Sequence, residues 1–407
     1  MKEMTIQRLG HHGDGIAPGP VYAAMTLPGE VVSGAVEGDR MSAPSIITPS
    51  ADRVKAPCAH FKACGGCSVM HASDDFVATW KTGIIEAALA AHGLEAPIRP
   101  IDTSPPRTRR RASLAGTRTK KGALVGFHAR KSGSIVPIRD CFLLHPRLLE
   151  ALPALEQITR LGASRSAVMT FAMTLTETGI DLAVGGGKPL DGPLRAALPA
   201  LAGPFTRRSW GDEVVVMEAP PMLAIGAAKV PPPPGAFLQA TPEGEAALQR
   251  VVVEAVDSAR HIADLFCGLG TFSLPLSAQA SVHAVEGSED LLGALTHAAN
   301  HATGLKAITT DVRDLFRRPL LPDELQRFDA VVIDPPRAGA EAQTRELATA
   351  RIPHIAMVSC NPTTFARDAT VLTNAGYRSD WIQPVDQFRW SAHVELAASL
   401  SRRHIHG

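Results

Sequence analysis

From about residue 243 onward, short apolar runs alternate with longer stretches of helical character, and this alternation limits the possible folds more than any other feature of the chain. The runs "HIADLF", "SVHAVE", "KAITTD", "FDAVVIDPP" and "HIAMVSC" read as strands, and helices are expected at 243–256, 288–302, 340–350 and 363–375. Strand–helix alternation joins parallel strands through crossovers, so the expected fold is α/β, a doubly wound Rossmann-like sheet. "PPPPG" at 231–235 sets its upstream boundary, because proline continues neither a helix nor a central strand. The sheet domain is therefore assigned to residues 231–407.

A chain of 407 residues exceeds what one ordinary core organises. Residues 1–50 hold runs such as "VYAAMTL" and "EVVSGAV" between closely spaced turn signals, which predicts a five-strand barrel of OB-like size. Residues 51–230 form a central α+β unit, with a helix from about Asp74 to His92 and then strand-like "GALVGFHA" and "GSIVPIRD". The N-terminal "MKEMTIQRLGHHGDG" lacks the apolar segment of a secretion signal, and nowhere do eighteen apolar residues run together. A cytoplasmic protein without membrane contact is expected.

Net charge is only +1, yet residues 107–131 carry nine Lys and Arg and no acid, so this segment is +9 against −8 for the remainder. Such a run is either a solvated face or a phosphate-binding surface for nucleic acid. The six cysteines are too few for a disulfide scaffold, and three of them, Cys58, Cys64 and Cys67, fall within "CAHFKACGGC". Clustered thiols in a reducing compartment are metal ligands or nucleophiles, and three leave a metal site one ligand short.

Chemistry is expected at the carboxyl edge of the sheet. In "DLFCGLGTF", Gly268 and Gly270 follow an apolar strand and allow a tight turn close to a ligand. Glu286, ending the next strand, is placed to accept both ribose hydroxyls of a nucleoside, and Asp311 to bond an adenine amino group. Ser273 replaces the third glycine of the dinucleotide fingerprint, which leaves NAD and S-adenosylmethionine both open. "DAVVIDPPRAG" favours a methyltransferase, since Asp334 and two prolines put a carboxylate and a stiff wall where the ligand binds. One strand later Cys360, in "MVSCNPTTF", reaches the same edge, and a helix N-terminus beside it would favour its thiolate.

Together, "FLQA", "DLFCGLGTF", "DPPRAG", "SCNP" and "HVE" occur in an order that resembles the RNA 5-methyluridine methyltransferase family, over nearly the whole chain. The resemblance implies a TRAM-like RNA-binding barrel at 1–50, a central iron-sulfur and RNA-binding domain at 51–230 and a class I S-adenosylmethionine-dependent domain at 231–407. It supplies Cys141 as the fourth thiol, so that Cys58, Cys64, Cys67 and Cys141 are expected to hold a 4Fe-4S cluster. The three-plus-one layout agrees, since zinc usually draws paired C-x2-C units. The cluster's expected role is structural; His60 and His71 are read as surface histidines, and Cys267 as a packing residue. Gln239, Phe266, Thr271, Glu286, Asp311 and Asp334 match the family's cofactor contacts, with Thr271 standing where some members have asparagine.

The resemblance also implies a mechanism: Cys360 adds to uracil C6, C5 takes the methyl group, and Glu395 removes the C5 proton. Arg337 is expected to hold RNA phosphate. The expected partner is RNA, 23S rRNA first and tRNA as the alternative, with no obligate protein partner. Rival readings are an exocyclic-amine methyltransferase, which has no use for Cys360; a non-catalytic RNA-binding iron-sulfur protein, which needs neither Cys360 nor Glu395; and a nicotinamide oxidoreductase, which "SCNP" disfavours.

Overall fold

The structure is a computed structural model that describes residues 1–164 and 167–402. Near the N-terminus the turn signals come so often that no strand exceeds four residues. Seven short strands result, rather than the five expected. Lys2–Thr5, Val31–Gly34 and Ser45–Thr48 form one sheet, and Arg8–Leu9, Gly15–Ala17, Val21–Ala23 and Arg40–Met41 form another. Ile6, Ala17, Ala23, Val32 and Met41 fill the space between them. Arg53 ties this unit to the cysteine segment, donating to the buried Glu30 carboxylate at 2.8 Å and to the Met25 carbonyl at 2.9 Å.

The central unit is a seven-stranded sheet over residues 111–217, in the order 135–137, 122–128, 111–119, 169–175, 180–185, 205–210, 213–217. The amphipathic helix Leu152–Gly162 buries Leu155 and Ile158 against it.

Helix α1 (Asp74–Ala90) starts where Ser73 caps the backbone N–H of Phe76. Its buried face does not serve the central sheet; Ile85 and Leu89 enter the core of the C-terminal sheet. That sheet is built from β1 (His261–Leu265), β2 (Ser281–Glu286), β3 (Ile308–Val312), β4 (Ala330–Ile333), β5 (His354–Ser359), β6 (Tyr377–Asp386) and β7 (Glu395–Arg402). The order is 3-2-1-4-5-7-6, and the short strand Asp102–Thr103 adds to the β6 edge. Helices α2 (Pro242–Ala255), α3 (Glu289–His301), α4 (Glu341–Ala350) and α5 (Pro362–Asn374) flank it.

Strands β1 to β5 are parallel, as alternation requires, but β7 runs antiparallel to both β5 and β6. The reason is covalent: only residues 387–394 join β6 to β7, too few for a crossover. The reversal brings the first residue of β7 to the edge where β4 and β5 end. No helix among the described residues is long and apolar enough to cross a membrane.

Candidate functional site

At the end of β1 the backbone turns through left-handed conformations at Phe266 (φ 61°), Gly268 (φ 55°) and Gly270 (φ 86°). The two glycines serve different ends. A Cβ on Gly270 would collide with Leu295 of α3, so this position lets the helix approach; around Gly268 nothing lies within 4 Å, so its bare backbone faces open space. Glu286, at the end of β2, braces this turn by accepting from the Gly268 N–H at 3.1 Å and the Ser288 N–H at 3.1 Å. Asp311 is ion-paired to Arg313 at 3.0 Å. Thr271 accepts at its carbonyl from Gln249 at 3.0 Å. Cys267 is buried in apolar packing between sheet and α3.

Two residues of this edge escaped the sequence reading. Phe316, half exposed, sets its ring 5.3 Å from that of Phe266; nothing in its local pattern marks it. Asp264 is fully buried within β1, where Ser273 donates to one carboxyl oxygen at 2.5 Å and the other has no partner.

Strand register brings the candidate residues together. Ser359 of β5 pairs with Leu396 of β7, so Cys360 and Glu395, one residue beyond each, lie side by side; β4 ends beside β5, which adds Asp334. Burial pushes the carboxyls of Asp264 and Asp334 up to about 7. Burial, with Asp334 adding repulsion, pushes Glu395 up to about 8. The Cys360 thiol is raised as well, by burial first and then by Glu395 and Asp334, while Arg337 pulls it down. The helix Pro362–Asn374 does begin two residues after Cys360, beside the thiol as expected, while burial and the two neighbouring acids act against its ionisation. Three raised carboxyls grouped at one edge suit a cationic ligand, whose charge would return them to their ionised forms.

Gln239 is buried next to them. Its side-chain oxygen accepts from Gln387 at 2.6 Å, and the same Gln387 amide donates to Glu395. The loop 387–394 that carries Gln387 is fixed from beneath. Lys81 of α1 makes a buried ion pair with Asp386 at 2.6 Å and donates to the Phe388 carbonyl at 3.2 Å. The Trp390 carbonyl accepts from Ser68 and Val69 of the cysteine segment.

Cys58, Cys64, Cys67 and Cys141 line one cavity of about 370 Å³, together with Arg109, Phe388 and His393. The chain reaches this arrangement because Gly65 donates to His128 at 2.9 Å and Cys64 bridges Ala129, which pins the cysteine loop to the end of a central strand. Burial raises the thiols of Cys67, Cys64 and Cys141, with a smaller contribution from repulsion by neighbouring thiols, Cys58 among them in each case. Among the described residues no three His, Cys, Asp or Glu side chains are grouped tightly enough for a single metal ion. A cubane cluster places each thiolate on a different iron, so its ligands stand farther apart, and four thiols around one cavity fit it. His71, read from sequence as a surface histidine, is buried against Phe61; His60 stands 3.9 Å from the Cys58 sulfur.

The basic run does not form one surface. Arg109 is half-buried at the thiol cavity, Arg110 pairs with Glu245 at 2.6 Å, and Arg111 stacks on exposed Phe237 at 4.4 Å while donating to the Leu238 carbonyl. Arg130 lies over Phe61, and Lys131 pairs with Asp14 at 3.0 Å. Arg118, Lys120 and Lys121 remain exposed at a hairpin tip. Of the two readings of residues 107–131, a solvated face or a phosphate-binding surface, neither describes the run as one continuous face.

The strand order, the bare glycine turn and the acidic strand ends define a class I S-adenosylmethionine-dependent methyltransferase. The family model for tRNA (uracil-5-)-methyltransferase matches residues 234–403. An uncharacterised RNA methyltransferase of Brucella suis is 42% identical over 98% of both chains, and the 23S rRNA (uracil(1939)-C(5))-methyltransferase RlmD of Aromatoleum aromaticum is 33% identical over 99% of this chain and all of its own. The crystal structure of the Pyrococcus abyssi tRNA (uracil-54, C5)-methyltransferase with S-adenosyl-L-homocysteine shares the fold, with a TM-score of 0.78 over 98% of this chain and 99% of its own at 23% identity. The chain belongs to the RNA uracil-C5 methyltransferase family and is an enzyme of that class.

Proposed function

We propose that this enzyme methylates C5 of one uridine in 23S rRNA through a covalent adduct between Cys360 and uracil C6. The observation that carries this reading is the β5–β7 register, which sets a thiol and a buried carboxyl side by side next to Asp334. The named relative acting on 23S rRNA supports that target, and the tRNA wording of the family model marks the alternative.

S-adenosylmethionine, when bound, supplies a methyl group on a positively charged sulfonium. Gly268, Glu286, Asp311, Gln239, Phe266 and Thr271 are the residues assigned to hold it. Cys360 loses its proton to solvent water and its thiolate attacks C6, and the electron pair displaced from the C5–C6 double bond makes C5 nucleophilic. Asp334 and Glu395 lie close enough to couple to that thiol proton. After C5 has taken the methyl group, the Glu395 carboxylate removes the remaining C5 proton; the double bond reforms and the C6–S bond breaks, releasing Cys360. Reaching this edge requires the uridine to leave its stack, and Arg337 and the N-terminal unit are assigned to grip the RNA around it.

Mass mapping of 5-methyluridine in ribosomal and transfer RNA from a strain lacking the enzyme is expected to show one vacant 23S site. Loss confined to tRNA would transfer the assignment to that RNA.

Cys58, Cys64, Cys67 and Cys141 are assigned as ligands of a 4Fe-4S cluster that ties the cysteine loop to the central unit. Anaerobically purified protein is expected to be brown and to contain about four irons per chain. Cys141→Ser is expected to lose iron and thermal stability together. Stoichiometric zinc, or iron content unchanged by Cys141→Ser, would overturn the assignment.

A further inference from the structure

Gln387 is almost fully buried, and every polar atom of its side chain is engaged. Its carbonyl oxygen accepts from the Ala240 N–H at 2.6 Å and the Thr241 N–H at 3.4 Å. A backbone N–H can only donate, so these two groups fix which end of the amide is the oxygen. The NH2 end therefore points the other way, and both of its hydrogens are used: one toward Glu395, one toward the oxygen of Gln239 at 2.6 Å. Two consequences follow. Glu395 receives a donor that favours its charged form, and Gln239 must turn its own NH2 away from Gln387, where it has no partner among the described residues.

We infer that Gln387 is the positioning residue of the active site: it holds Glu395 ready to accept the C5 proton and orients Gln239 as a donor toward the ligand. This rests on the reading of Glu395 as the base. The chain of causes runs from the start of α2, whose N-cap is Thr241, through Gln387 at the head of loop 387–394, to the first residue of β7. Space enforces it too, since a Cβ on Gly244 in the first turn of α2 would clash with the Gln387 side chain. One amide thus ties the position of the base to that of a cofactor-side residue.

Other charges also face Glu395. Asp334 at the end of β4, Cys360 at the end of β5 and Asp386 at the end of β6 oppose its ionisation, while Arg111 and Arg109 of the central unit favour it. All of these stay in place when Gln387 is changed, so a shift in the pH profile reports the lost donor.

The test follows breakdown of the methylated protein–RNA adduct against pH in wild type, Gln387→Met and Glu395→Gln. Gln387→Met keeps the length of the side chain and removes both donors. Loss of one charge-assisted hydrogen bond is expected to move the breakdown profile up by about one to two pH units, so that breakdown at pH 7 slows about 10- to 100-fold and recovers at high pH. A packing defect would slow breakdown at every pH. Gln387→Glu keeps the shape and donates only while protonated, so it is expected to lose activity as pH rises, the opposite sense; it also serves if Gln387→Met does not fold. If Glu395→Gln stalls while neither Gln387 variant moves the profile, the role given to Gln387 is wrong and the base stands. If Glu395→Gln turns over normally, the base assignment falls, and the role of Gln387 with it.

Discussion

Cys360→Ala is expected to make no 5-methyluridine and no covalent complex with RNA, a loss in kcat on the order of 10⁶-fold, the scale on which removal of a covalent nucleophile has been felt elsewhere. Uracil C5 has too little electron density to attack a methyl group unaided, so no residual route of useful rate remains. The variant's thermal midpoint and its affinity for S-adenosylmethionine are expected to stay near wild type, because Cys360 is a free, only partly buried cysteine. RNA carrying 5-fluorouridine sharpens the test. Fluorine cannot leave C5 as a proton does, so the wild-type enzyme is expected to be trapped as a denaturation-resistant band, and Cys360→Ala to give none. With the wild type, adduct formation is expected to accelerate as pH rises, since burial, Glu395 and Asp334 all hold the thiol above its ordinary range. Methylation that survives in Cys360→Ala would remove the covalent mechanism altogether.

What the chain discloses on reading divides along the line between local and long-range causes. Strands β1 to β5 and helices α2 to α5 declare themselves because apolar runs, proline and capping residues act over a few neighbours. Cys360 and Asp334 could be placed on the active edge for the same reason: each directly follows a parallel strand. Glu395 could not, because its position depends on β7 running backward, which is decided by the shortness of the 387–394 connection and not by any residue near Glu395. Gln387 was silent too, since its partners lie near residues 240 and 395. The arginines failed for a different reason. Alternate side chains on an extended backbone share a face, so Arg110 turns to a buried glutamate while Arg109 and Arg111 lie on the other side, one reaching the thiol cavity and one an exposed phenylalanine, although in one dimension the three look like a single cluster.

The second large effect separates the steps before and after methyl transfer. Glu395→Gln is expected to form the C6 adduct and methylate C5, then stall, with kcat lowered about 10²- to 10⁴-fold, the usual worth of a positioned general base. Glutamine is the informative replacement because its oxygen still accepts from Gln387, so the hydrogen bond persists while basicity is lost. The buried site explains why a carboxylate suffices. A positive charge nearby would favour the ionised form of Glu395, whereas in the protein alone burial and Asp334 raise its affinity for a proton, to a pKa of about 8. A carboxyl raised in this way is a stronger base than an exposed one once it is ionised. The stalled species is expected as a gel band resistant to denaturation that carries label from the methyl group of S-adenosylmethionine, and in the wild type its breakdown is expected to quicken as pH rises and Glu395 ionises. A Glu395→Gln enzyme that turns over at nearly the wild-type rate, with no labelled band, would mean that another group removes the C5 proton.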